Sequence, residues 1–257
     1  MKFGCCASID KAAELRAAGF DYMEAAVTSL VPDEDDDAFV SVLKTYQGSP
    51  IPIRACNSFL PRDLKIVGPE IDEVRLKRYL SRALPRIEAV GASTAVIGSA
   101  GSRSIPDGFP RDEAIKQIVR FMHLVADEAE KSNVTIAIEP LNRKESNVIN
   151  SVAEGVEIAE LVNRPSIKVL ADFYHMDEDL EPLNHLVEYG AWLAHIHVAD
   201  TERLAPGSGQ YPYETFVEGL RQAGYDGMVS VECRWQDFAV EAKPAADFLR
   251  QAFHNTH

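Results

Sequence analysis

Eight short apolar runs recur along the chain, at 2–6, 22–27, 51–56, 93–97, 135–138, 168–171, 193–198 and 228–231. Most are rich in Val, Ile or Ala and are bounded by turn residues, the marks of strands. They are apolar at nearly every position, which suits strands covered on both faces, as in a parallel sheet. Between them the spacing becomes helical. Ser8-Ile9-Asp10-Lys11 leads into an Ala/Leu/Arg stretch that stops at Gly19, a residue suited to a helix end. Over 72–89, Val74, Leu76, Tyr79, Leu80, Leu84 and Ile87 follow a period close to that of a helix. Segments 111–131, 152–162 and 213–223 read the same way, and 243–253 supplies a last helix. The acidic stretch 33–37 reads as a solvated loop or a helix start after the second strand.

Eight strands alternating with helices predict an α/β protein: one (β/α)8 TIM barrel spanning 1–257 as a single domain. A doubly wound open sheet is the competitor. It usually carries a glycine fingerprint after its first strand, and here that turn reads CCASIDKAAE. The segment Gly98 to Arg103 lacks the GK[ST] ending of a phosphate-binding loop and reads as a lining loop or rim.

Composition narrows the function. The 257 residues carry a formal net charge of −14, from 40 acidic and 26 basic side chains, which works against nucleic acid and anionic lipid as partners. No apolar run approaches the roughly 18 residues of a membrane span. The N-terminal residues show no secretory pattern, so a cytoplasmic protein is expected. Cys5, Cys6, Cys56 and Cys233 have no CxxC spacing and are expected as reduced thiols.

In a barrel of this kind chemistry sits at the C-terminal ends of the strands. The fifth run ends in Glu139, the sixth in Asp172 and the eighth in Glu232, while the seventh carries His195 and His197. Taken singly, a carboxylate there could cap a helix and a histidine could be a core residue. Together, three carboxylates at one mouth would repel one another unless a cation lay among them. Oxygen ligands plus one imidazole suit Mn2+, Mg2+ or Co2+ better than a thiolate zinc site. His195 and His197 face the same side of their strand. His197 should reach the mouth, with His195 a layer deeper as a supporting or core residue.

At these residues the chain resembles the xylose-isomerase-like sugar isomerase and epimerase family, and within it the D-tagatose and D-psicose (ketose) 3-epimerases. The matching segments are IEPLNRKESNVIN at 138–150, LADFYHM at 170–176, HIHVADTERLAPGSG at 195–209 and VECRW at 231–235. The resemblance implies that Glu139 and Glu232 are metal-bound glutamates acting as acid and base, with Asp172 and His197 as the other ligands. It implies substrate contacts from Glu145, His175 and Arg203, a homodimer or homotetramer, and a small-molecule sugar as substrate. The loop reads PGSG where relatives often have PGRG, which bears on substrate identity.

The chemistry follows from the placement. Glu139 and Glu232 stand at the two ends of the arc formed by strands five to eight. A keto-sugar between them could lose a proton to one glutamate and regain it from the other through a cis-enediolate. Return to the opposite face epimerises, and return to the adjacent carbon isomerises. Glutamate is a weak base, with a reference pKa of about 4.3, so Mn2+ or another divalent ion must carry much of the stabilisation. Asn57 and Phe59 are candidates for lining the pocket, and Trp235 for closing it. Three alternatives remain: a metal-dependent dehydratase of a keto-inositol or keto-acid, a non-catalytic sugar-binding barrel, and an endonuclease IV-type nuclease. The charge of −14 opposes the last.

Overall fold

Residues 1–254 are described by the structure, a computed structural model; the last three residues of the domain expected over 1–257 lie outside the described residues. The strands are β1 (Lys2–Cys6), β2 (Tyr22–Ala26), β3 (Ile53–Asn57), β4 (Thr94–Ile97), β5 (Thr135–Ile138), β6 (Ile167–Asp172), β7 (Leu193–Val198) and β8 (Met228–Val231). They pair in sequence order, all parallel, and β8 returns to β1 to close the barrel. The third strand begins two residues later than its apolar run. Pro52 has no N–H for a ladder, and its carbonyl instead accepts from the Met23 N–H at 2.9 Å.

Side-chain chemistry sets the helix boundaries. Asp72, with its side chain accepting from the Arg75 N–H, caps the helix Glu73–Ala89, and Ser151 caps Val152–Val162 in the same way. The acidic stretch 33–37 proves to be a helix start: Asp35 caps Asp36–Gln47. The last helix, Phe238–His254, begins five residues before the expected one. Lys243-Pro244 reads as a first turn because proline is at home there. Here the Asp237 carbonyl already accepts from the Val240 and Glu241 N–H groups upstream of it. The buried Arg86 guanidinium donates to the carbonyls of Leu30, Val31, Glu34 and Asp35 and lies over the Phe39 ring. It ties the loop after β2 to the helix Glu73–Ala89.

The main core lies between the barrel's outer surface and the helices. Inside the barrel, Val96, Ala137 and Leu170 form a separate apolar cluster on one side. The other side is polar, with the Tyr22 hydroxyl 2.8 Å from Ser230 Oγ, which is 3.2 Å from His195 Nε2. Gly4 makes room for this arrangement, since a Cβ there would stand 2.2 Å from the Tyr22 ring. Two residues further along the strands, the side chains reach the mouth. Among the described residues no helix is long and apolar enough to cross a membrane.

Candidate metal and active site

Each strand from β5 to β8 delivers one side chain to the mouth, by local geometry that the sequence makes easy to follow. Glu139 and Glu232 each stand one residue past a strand, still held in the ladder through N–H bonds to the carbonyls of Ile97 and Val198. Asp172 ends β6 and starts the short helix Phe173–Glu178, where its Oδ1 accepts from the Tyr174 N–H at 2.8 Å. His197 lies on β7, two residues beyond His195. One ligand-type atom from each of Glu139, Asp172, His197 and Glu232 falls within a 4.8 Å group. His197 Nδ1 faces all three carboxylates, 3.3 Å from Glu139 Oε1, 3.7 Å from Glu232 Oε2 and 3.9 Å from Asp172 Oδ2.

The donor set fits a divalent cation on one specific observation. Asp172 Oδ2 is buried, points into the cluster, and has no hydrogen-bond partner among the described residues. A buried carboxylate oxygen left unpaired is costly, and a cation at the centre would satisfy it. Electrostatics agree. Burial pushes the Glu139 carboxyl above its ordinary value, and the Glu232 charge pushes the same way. Burial would raise Glu232 as well, but His197 and Arg203 overcome it and hold Glu232 at about 2. Burial opposes a charge on His197, yet Glu24 and Glu232 among others drive it well above the usual histidine range. The carboxylates thus favour the charged forms of His197 and Arg203 beside them.

The remaining sequence-selected residues gather around this centre. Arg203 Nη2 is 2.5 Å from Glu232 Oε2, Arg203 Nη1 is 3.4 Å from Glu145 Oε1, and the guanidinium stacks over Tyr174. His175 is buried, with Nε2 3.8 Å from Asp172 Oδ2 and with no hydrogen-bond partner for that nitrogen among the described residues. Its Nδ1 meets the backbone N–H and the side chain of Asn142, which also donates to Glu145 Oε1 at 3.2 Å. Asn57 donates to Glu232 Oε1 at 2.9 Å, so it reaches the centre. Phe59 does not line the mouth. It is fully buried in the outer core beside Tyr79, because Ser58 turns the chain with a positive φ of 46°. Trp235 is partly buried against Phe238.

Several contributors were not apparent from sequence. Gly98, after β4, leaves the space that the Glu139 carboxylate fills: a Cβ there would lie 2.0 Å from Glu139 Oε2. Asp200, just beyond β7 and buried, accepts from the N–H groups of Thr201, Gly207 and Tyr211 and so shapes the loop that carries Arg203. Glu24 on β2 is wholly buried beneath His197. The one available signal for Glu24 was a lone carboxylate inside an apolar run.

An eight-stranded parallel barrel with a carboxylate–imidazole cluster at its C-terminal mouth defines a class of enzyme folds. Residues 12–252 match the model of the xylose isomerase-like TIM barrel family, and the chain belongs to that family. The D-psicose 3-epimerase of Agrobacterium fabrum is 29% identical over 231 residues, covering 87% of this chain and 77% of that protein. The 3-dehydro-D-guloside 4-epimerase of Escherichia coli is 29% identical over 177 residues, covering 65% of this chain and 68% of that one. Among solved structures, the 3-keto-D-glucoside 4-epimerase of E. coli superposes with a TM-score of 0.84 at 24% identity, over 98% of this chain and 99% of that chain. The D-psicose 3-epimerase of Clostridium cellulolyticum gives 0.84 at 22% identity over the same shares. These structural likenesses are statements about the fold.

Proposed function

We propose that the protein is a divalent-metal-dependent carbohydrate epimerase or isomerase. Its substrate would be a ketose or related keto-sugar, with proton transfer through a cis-enediolate between Glu139 and Glu232. The observation that carries the reading is the orphaned Asp172 Oδ2, aimed into the group that also contains Glu139, His197 and Glu232. The relatives named as sugar epimerases support the substrate class. Glu139, Asp172, His197 and Glu232 would hold the ion, with Mn2+ the first candidate and Mg2+ or Co2+ next. When bound, the ion would supply Lewis-acid polarisation of the substrate carbonyl and stabilise negative charge developing on its oxygen.

The chain's own residues account for the rest. Glu139 and Glu232 approach from opposite ends of the β5–β8 arc. One removes a proton from the carbon beside the carbonyl while the other delivers one from the opposite side, and the roles exchange when the reaction runs backwards. Arg203 and His175 would hold the sugar's oxygens, offering charge-assisted or neutral donors. Glu145, paired with Arg203 and Asn142, would contact the substrate beside them, and Asn142 holds His175 in place. His175 Nε2, which has no partner among the described residues, is a donor in search of a substrate oxygen. The free thiols fit a reducing compartment such as the cytoplasm.

The test is deuterium uptake from D2O into a panel of ketoses and keto-inositols, with Mn2+ and with EDTA. Metal-dependent exchange at the carbon next to the carbonyl is expected, and it should disappear in Glu139→Gln and Glu232→Gln with the fold retained. Exchange at the wild-type rate in either variant would refute the two-glutamate mechanism. An enone or diketone product would instead identify a dehydratase. No exchange with any member of the panel would favour a binding role.

A further inference from the structure

Beneath the mouth, Glu24 makes a contact that the proposed chemistry does not use. Its carboxylate is fully buried and faces two histidines of β7 in the barrel interior. Oε1 lies 3.0 Å from His197 Nε2 and Oε2 lies 2.8 Å from His195 Nε2. His195 Nε2 is also 3.2 Å from Ser230 Oγ, which meets the Tyr22 hydroxyl at 2.8 Å. Glu24 therefore receives one imidazole on each oxygen. A carboxylate can only accept, so each of those ring nitrogens must carry its proton. For His197 the consequence is directional. Once a cation takes the place of the Nδ1 proton, the proton kept on Nε2 leaves the ring neutral with its lone pair on Nδ1, the nitrogen turned toward Glu139, Asp172 and Glu232.

We infer that Glu24 is a positioning residue for the metal centre: it fixes the His197 tautomer and ring orientation that leave Nδ1 free to bind a cation. This inference rests on the metal-site reading above and adds a residue to it. Buried carboxylates behind ligating histidines act in this way generally, and losing one typically weakens metal affinity by about 10–100-fold. The geometry is well suited to rigidity. Glu24 is anchored at both oxygens, and the second anchor, His195, is itself held by Ser230. The wholly buried ring of His197 cannot turn without breaking its bond to Glu24. A glutamine at position 24 would be nearly isosteric, but its amide can accept from only one of the two imidazoles. Its NH2 group would confront the other N–H, which favours a flipped or re-protonated ring.

Cys6 offers a competing explanation. Its Sγ lies within 4.8 Å of ligand-type atoms of Glu24 and His197, so the three together could hold a second ion, with Glu24 as a direct ligand. Counting bound metal separates the two. The experiment is titration of chelator-treated wild type and Glu24→Gln with Mn2+, read by calorimetry and by metal content. The inference requires one ion per wild-type chain and about 10–100-fold weaker binding in the variant, with partial recovery in Glu24→Asp. Two ions per chain would overturn it in favour of a second site, and affinity within twofold of wild type would overturn it outright. Wild-type protein that binds no Mn2+ would remove the metal centre itself, and this inference with it. A second readout does not depend on the variants folding. In Mg2+-loaded protein with 15N-labelled histidine, His197 should show the Nε2–H tautomer by NMR, and an Nδ1–H ring would overturn the proposal.

Discussion

Gly98 shows how much of an active site can rest on an atom that is missing. The glycine follows β4, where the sequence reads only as the start of a Gly- and Ser-containing loop, and its role depends on a neighbour 41 residues away. A methyl group there would stand 2.0 Å from Glu139 Oε2 and 3.1 Å from its Cδ. The obstructing atoms are the end of a flexible side chain, so the carboxylate would rotate away while the backbone stayed in place. Gly98→Ala is therefore expected to unfold in urea near the wild-type midpoint. Its kcat/KM should nevertheless fall by about 100-fold, the order of loss that follows a 1 Å misplacement of a reacting group. Wild-type kcat/KM in this variant would mean that Glu139 does not act from the position it occupies. The contrast with Asp172 is instructive. That residue ends an apolar run and so announces itself on one strand, whereas Gly98 announces nothing until β5 is beside it.

At the scale of elements, the strands were readable because both of their faces are buried, and burial leaves a continuous apolar record. Boundaries were less so wherever one residue has two ordinary uses. Pro244 can open a helix or sit inside one, and only the Asp237 carbonyl bonding to Val240 and Glu241 decides. The short helix Phe173–Glu178 carries His175 on too few residues to show a period. Loops carry least in their sequence. The segment 201–211 depends on the buried carboxylate of Asp200, which accepts from Thr201 at 2.8 Å, Gly207 at 2.9 Å and Tyr211 at 3.1 Å. That bracing offsets the positive φ angles of Glu202 and Arg203, 61° and 64°, which a non-glycine residue adopts at a cost. Replacing Asp200 by Ala removes both acceptor oxygens and, with them, three backbone hydrogen bonds. The variant is expected to be about 2–4 kcal/mol less stable in urea unfolding and to lose about tenfold in kcat/KM as Arg203 drifts. Its Mn2+ affinity should remain within about twofold of wild type, because Glu139, Asp172, His197 and Glu232 are held by other elements. A parallel loss of metal would show that the loop and the centre are one unit.

The whole molecule adds what no single strand can contain, which is closure. Glu24 and His197 are 173 residues apart and meet only because β8 closes onto β1 and brings β2 and β7 to one side of the barrel interior. The same closure concentrates carboxylates at one end of a chain that already carries a net charge of −14. It also creates a trade between stability and cation binding. A ligand that binds only the folded chain stabilises it by about 2.7 kcal/mol at 100 times its Kd, or ~5–10 °C in Tm for a protein of this size. Mn2+ should therefore raise Tm by that amount, and EDTA should reverse the rise. Asp172→Asn turns the relation around. The asparagine Oδ1 keeps the bond to the Tyr174 N–H, and its Nδ2 presents a donor to Glu139 and Glu232 in place of a third like charge. The metal-free variant is accordingly expected to melt at or above metal-free wild type, yet to gain little when Mn2+ is added, so that the two melting curves exchange order across the titration. A variant stabilised by Mn2+ as fully as wild type would show that Asp172 is not a ligand. One that melts well below wild type without metal would show that its unpaired oxygen helps to hold the fold rather than a cation.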